Sequence, residues 1–216
     1  AGKSHRRLWS TRLELYERLK IHGDVDHVRN MFKHGTVVIL PTHLSNLDSI
    51  LIGYALDSVV GLPAFAYGAG LNLYESEIFA FYMTRLGAYR VDRRKKNPIY
   101  LDSLKIMSQV MLERGTNSLF FPGGTRSRSG EIERELKYGL LNSLLAAQRS
   151  IYEHGGNQKI IVVPLILGYH CTLEAQSLIS GYLKSTGEEK YVSSARKGFK
   201  VRNILSFAWK FFSQSN

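Results

Sequence analysis

A single cysteine, Cys171, leaves this 216-residue chain with no internal disulfide and no multi-cysteine metal site. That fits a reducing compartment. Proline and glycine, at 5 and 19 residues, are ordinary in number, which excludes collagen-like and proline-rich classes. With 44% hydrophobic residues the chain also lies outside the disordered class. No apolar run reaches the roughly eighteen residues of a membrane span. The nearest, Ser49 to Gly70, is interrupted by Asp57 and Pro63. The first residues, AGKSHRRLWS, lack the apolar core of a secretory leader. Chemical signatures are missing too. There is no Gly-x-Ser-x-Gly elbow of a serine hydrolase, and no His-Glu-x-x-His or Cys-x-x-Cys pair for a metal. Gly-x-Gly-x-x-Gly and Walker A loops are absent. No metal and no resident cofactor is expected.

What the chain has in excess is positive charge. Lys and Arg number 29 against 18 Asp and Glu, a formal net charge of +11. Such a chain favours polyanions: nucleic acid, anionic lipid surfaces or phosphorylated small molecules. No nucleic-acid motif accompanies the charge, so no nucleic-acid partner is expected.

Apolar spacing predicts an opening helix through Leu8, Leu15 and Leu19 that stops at Gly23, and a short helix capped by Asp24 that ends at Gly35. Thr36 to Leu40, TVVIL, reads as a buried strand. Helical spacing returns from Ser45 to Leu56. A weaker strand follows at Leu62 to Tyr67, then a helix at Tyr74 to Arg85 and a short strand at Ala88 to Val91. Pro98 suits the first turn of a helix that runs to Gly115. Ser118 to Phe121 reads as a strand, Leu136 to Glu153 as a helix, Lys159 to Leu167 as a second buried strand and Thr172 to Lys184 as a helix. Ser185 to Lys200 is linker-like. This alternation predicts an α/β fold, a mainly parallel mixed sheet flanked by helices with a helical N-terminal lead-in. The expected organisation is a lead-in over residues 1–35, an α/β domain over 36–192 and a basic, aromatic C-terminal helix over 193–216.

In open α/β sheets ligands gather beyond the carboxyl ends of the strands. Three unusual loops follow strands: THLSNLD after TVVIL, DRRKKN after AYRV, and PGGTRSRSG after SLFF. In the first, His43 and Asp48 are spaced so that one helical turn returns the carboxylate to the imidazole. An Asp that accepts one ring N–H orients the ring and leaves the other nitrogen as a base. Ser45-x-x-Asp48 equally fits a capping box, in which Asp48 only starts a helix. In the third loop Gly124, Thr125, Arg126, Ser127 and Arg128 join glycine, hydroxyls and guanidiniums. Glycine admits close approach of backbone N–H groups to an anion, and Arg binds phosphate bidentately. A solvated basic turn has the same composition. Arg90, Arg93, Arg94, Lys95 and Lys96 form a basic cluster suited to a lipid surface or simply to water.

In order, these loops resemble the four blocks of the glycerol-3-phosphate/lysophosphatidate acyltransferase family. His43 and Asp48 match its His-x4-Asp box. Gly87-Ala88-Tyr89-Arg90-Val91-Asp92-Arg93 matches the second block, Phe121-Pro122-Gly123-Gly124-Thr125-Arg126-Ser127 the third, and Val162-Val163-Pro164-Leu165 the fourth. The match spans roughly Thr36 to Tyr191 and is closest to the bacterial glycerol-3-phosphate 1-O-acyltransferase branch, through Gly68-Ala69-Gly70-Leu71-Asn72-Leu73 and Leu165-Ile166-Leu167-Gly168-Tyr169.

The resemblance implies acyl transfer from acyl-CoA or acyl carrier protein to the 1-hydroxyl of glycerol 3-phosphate, giving lysophosphatidate for phospholipid synthesis. His43 would be the base and Asp48 its orienting partner. Arg93 and Arg126, with Lys137 or Arg128, would hold the phosphate. It implies a cytoplasmic protein peripherally associated with the inner, anionic face of the membrane. Two departures stand out: Gly123 occupies the place of a Glu linked to acceptor binding, and Arg90 that of an aromatic. The first leaves two alternatives, a lysophosphatidate acyltransferase or a non-catalytic lipid-binding relative. Members of that branch are longer and this chain begins without methionine, so it is expected to be a processed product, a piece of a longer protein or a minimal relative.

Overall fold

The computed structural model of the chain describes residues 19–45, 47–63, 65–74, 77–85, 87–92, 94–127, 135–170, 172 and 175–187. The expected opening helix from Leu8 and the C-terminal helix over 193–216 lie outside the described residues.

Helix α1, Val25–Met31, begins where Asp24 Oδ1 accepts from the His27 backbone N–H at 2.8 Å, satisfying one of the open donors of its first turn. It stops at Met31, short of Gly35, because Gly35 already belongs to a strand. Strand β1, Gly35–Pro41, is the predicted β-branched run. Helix α2, Asp48–Ala55, starts later than its apolar spacing suggested and continues as a π-helical turn, Leu56–Val60, closed by Gly61 at φ 71°. Arg29 of α1 caps that turn. Its Nε donates to the Val60 carbonyl at 2.6 Å and its Nη2 to Val59 at 2.9 Å.

Strand β2 forms at Ala66–Gly70 rather than Leu62–Tyr67. The physical reason is local: the Leu62 N–H is drawn back to the Leu56 carbonyl, and Pro63 follows, so the extended ladder starts only after the turn. A 3₁₀ turn, Leu71–Tyr74, leads to α3, Glu77–Arg85, then β3, Ala88–Val91. Helix α4, Pro98–Glu113, has Pro in its first turn and Asn97 capping the Ile99 N–H at 2.9 Å. Strand β4 is only Ser118–Leu119. Helix α5, Tyr138–Glu153, strand β5, Lys159–Leu165, and helix α6, Ala175–Ser185, complete the described elements.

Among the described residues the sheet has five strands in the order β3-β2-β4-β1-β5, and every pairing is parallel. Both faces are covered. On one, Val37, Ile39 and Leu119 pack with Ile52, Leu56 and Met83. On the other, Val38 and Phe120 pack with Leu112 of α4 and Leu144 and Ala147 of α5. Burying such side chains stabilises the fold by roughly 1.5–3 kcal/mol each. The α4–α5 seam carries one buried polar contact, Ser108 Oγ to Ser143 Oγ at 2.9 Å.

One reading of the apolar runs needs correcting. KIIVVPLIL was expected to be buried, but among the described residues β5 is an edge strand. Its side chains are half-buried or exposed, Val162 is 47% exposed, and Ile166 just beyond it is 84% exposed. An apolar run shows that a strand is sticky; it does not show how many neighbours it has.

The chain forms two compact units. The first comprises Ala1–His43, Leu47–Thr125 and Glu133–Gly168 and holds the sheet and helices α1 to α5; the second comprises Leu44–Asn46, Arg126–Ile132 and Tyr169–Asn216 and holds α6. No helix among the described residues is long and apolar enough to cross a membrane.

Candidate active site

Strands β1 and β4 are neighbours and parallel, so the loops that follow them leave the same edge of the sheet. The exit of β1 is held firmly. The Thr42 N–H donates to the Leu165 carbonyl at 3.0 Å, and Thr42 Oγ1 accepts from the Leu167 N–H at 3.0 Å. His43 follows directly. Its Nδ1 lies 2.8 Å from Asp48 Oδ2. Asp48 is the first residue of α2, so its carboxylate sits where the helix's open N–H groups favour negative charge. The residue at the cap position is Leu47, whose side chain makes no capping bond. The Asp48 side chain is fully buried and that of His43 is 12% exposed. A buried carboxylate paired with one ring nitrogen fixes the tautomer and directs the other nitrogen away.

The imidazole has a second neighbour that spacing alone did not reveal. The Phe121 ring stacks on it, centroid to centroid 4.0 Å, with an interplanar angle of 26°. The only clue in the sequence is an aromatic at the end of a strand next to Pro122; that β4 lies beside β1 was not readable.

After Phe121 the chain turns sharply. The Gly124 N–H returns to the Phe121 carbonyl at 3.0 Å, with Gly124 at φ 72°, a left-handed conformation that favours glycine. Lys137 closes the turn from the other side: its N–H donates to the Pro122 carbonyl at 2.7 Å, and its side chain lies against Gly124. A Cβ on Gly124 would stand 3.1 Å from Lys137 Cγ. Lys137 also occupies the N-cap of α5, so the turn brings an ammonium group and a helix amino end to one place.

The expected site residues thus fall into four groups. His43, Asp48, Gly124 and Lys137 are linked through Phe121 in one continuous arrangement. Thr125 follows Gly124 and is exposed. Arg126 and Ser127 belong to the second unit. Arg93 and Arg128 lie outside the described residues.

The second block sits on β3, at the far edge of the sheet from β5. Arg90 is exposed and lies over the Tyr74 ring at 4.9 Å from its centroid. Two N–H groups of Arg94, one backbone and one side-chain, donate to Asp92 Oδ1 at 3.1 Å, and these bonds hold the Asp92 carboxyl below the usual carboxylate range. Tyr89 is the unusual member. Its hydroxyl is buried and has no hydrogen-bond partner among the described residues, and burial pushes its pKa up to about 12. Its ring fills the space left by Gly68 on β2. Among the described residues no group of three or more His, Cys, Asp or Glu is placed to hold a metal ion.

The family model described as Acyltransferase matches residues 18–168. Among solved structures the chain is similar to the 1-acyl-sn-glycerophosphate (LPA) acyltransferase PlsC from Thermotoga maritima, at 15% identity over 81% of each chain, with a TM-score of 0.38.

Proposed function

The chain belongs to the acyltransferase family, which includes the glycerol-3-phosphate and lysophosphatidate acyltransferases, and from that premise we propose that it moves an acyl group from an acyl thioester to the 1-hydroxyl of glycerol 3-phosphate. The observation that carries this reading is the buried pair of His43 Nδ1 and Asp48 Oδ2, 2.8 Å apart, beside a glycine turn that ends on Lys137.

The steps follow from that geometry. His43 Nε2 takes the hydroxyl proton as the oxygen attacks the thioester carbonyl carbon. Asp48 stabilises the imidazolium formed. When the tetrahedral intermediate collapses, the carbon–sulfur bond breaks and the proton on Nε2 passes to the departing sulfur. A positioned base of this kind typically supplies roughly 10²–10⁴ in rate. The acceptor phosphate is held by Lys137 and the backbone of the Gly124 turn. Backbone N–H groups serve the oxyanion. The product, lysophosphatidate, feeds phospholipid synthesis. The net charge of +11 and the exposed Arg94, Lys95 and Lys96 favour work at an anionic membrane surface.

The test is thiol release from a long-chain acyl-CoA in the presence of vesicles, with glycerol 3-phosphate, with lysophosphatidate, or with neither. The expected result is release that requires glycerol 3-phosphate and falls by roughly 10²–10⁴ in His43→Ala. Release with lysophosphatidate alone would reassign the acceptor. A Gly123→Glu variant that releases thiol faster would show that Gly123 limits acceptor binding. Turnover unaffected by His43→Ala would overturn the mechanism.

A further inference from the structure

The Cβ–Cγ bond and a hydrogen bond at the adjacent Nδ1 hold the His43 imidazole along one edge and leave the ring able to tilt about that edge. Reaction at Nε2, on the opposite side of the ring, is sensitive to that tilt. Phe121 supplies what the hydrogen bond does not, a surface that sets the plane. We propose that Phe121 is a positioning residue for the base: its ring fixes the plane in which His43 presents Nε2 to the acceptor hydroxyl, and its face stabilises the imidazolium formed during proton transfer. This rests on His43 being the base of the acyl transfer.

The geometry of the stack supports it. The ring centroids are 4.0 Å apart and the planes within 26° of parallel, so the rings meet face to face rather than edge to face. Stacked contacts are among those that aromatic rings adopt, so the Phe121 face can hold the resting imidazole in its plane. A cationic ring over a π face is attracted to it, so the same contact favours the imidazolium that forms in the transition state.

Phe121 is itself anchored. It is half-buried and packs against the core cluster that contains Val37 and Ile39. The Phe120 N–H donates to the Ile39 carbonyl at 3.1 Å, and the Phe121 carbonyl accepts from the Gly124 N–H at 3.0 Å. His43 is anchored on the same frame through Thr42. The stack therefore couples the base to the Gly124–Lys137 turn at a set spacing, and a small error in that spacing is expensive in rate.

Phe121→Leu keeps the apolar volume and removes the π face, and Phe121→Tyr restores it. With folding checked by thermal melting, Phe121→Leu is expected to lower kcat about tenfold, with KM for donor and acceptor within about twofold of wild type. Phe121→Tyr is expected to recover most of kcat. In proton NMR of histidine-labelled protein, assigned against His43→Ala, the His43 ring signals are displaced by the stacked ring and should lose that displacement in Phe121→Leu. Wild-type kcat in folded Phe121→Leu, a loss confined to KM, no recovery in Phe121→Tyr, or unmoved His43 signals would each overturn the proposal. The two readings separate cleanly: full turnover in His43→Ala removes the base and this proposal with it, whereas an inactive His43→Ala beside a fully active Phe121→Leu removes Phe121 alone.

Discussion

Asp48 Oδ2 stands 2.8 Å from His43 Nδ1, and none of the Asp48 side chain reaches solvent. Asp48→Asn keeps the shape and an acceptor but removes the charge that balances an imidazolium. kcat is predicted to fall about a hundredfold or more with little change in KM. Steady-state thiol release together with a melting curve checks this; a loss that tracks unfolding instead would assign Asp48 a structural role.

Gly35 opens β1 opposite Lys159, and a Cβ there would come 2.0 Å from the Lys159 carbonyl oxygen. The clashing atom is backbone and cannot step aside. Gly35→Ala is predicted to cost about 3 kcal/mol by forcing β1 and β5 apart. The midpoint of urea unfolding measures it.

The buried, unpartnered Tyr89 hydroxyl makes a prediction of the opposite sign. Tyr89→Phe is expected to stabilise the fold by about 1 kcal/mol, because a desolvated donor is removed and no bond is lost. The same residue sets an alkaline limit. Its folded pKa, pushed up to about 12 by burial, exceeds the ordinary value of 10.0. The folded state thus holds its proton more tightly, and that contribution is intact below pH 10 and lost as pH rises toward 12. Unfolding curves at pH 9 and at pH 11 should diverge less in Tyr89→Phe than in wild type.

Gly124→Ala places a side chain at φ 72° and pushes on Lys137. The expected cost is about 1–2 kcal/mol of stability, with KM for glycerol 3-phosphate rising more than kcat falls. Kinetics with acceptor varied at saturating acyl-CoA separate the two. A change confined to the acyl-CoA KM would place the turn on the donor side.

Much of this was readable beforehand, and what was not has physical causes. TVVIL became β1, and Pro98 and Asp24 marked helix starts, because these signals act within one turn of chain. The His43–Asp48 pairing is likewise local, five residues apart. Strand order is not local. Nothing in KIIVVPLIL says that, among the described residues, only one of its edges has a strand beside it, and nothing in SLFF says that its last aromatic will meet a histidine 78 positions earlier in the chain. Strand β2 shows a third limit. AYGAG has weak strand propensity and is extended because β3 and β4 flank it, while the more promising Leu62 is captured by a turn.

The strand order also dictates how the chain must be built. Strand β1 emerges first, yet the groups that complete it come late: Val37 donates its N–H to an Asn117 side chain 80 residues on, and Thr36 is met by Gln158 after 122. Until β4 is synthesised this β-branched apolar strand has both edges open, and until β5 follows one edge is still open. Closing such long loops before any contact rewards them makes refolding slow. The stretch from Thr36 to Leu40 is then the part of the nascent chain most exposed to wrong pairing, and the part that a chaperone would have most reason to hold.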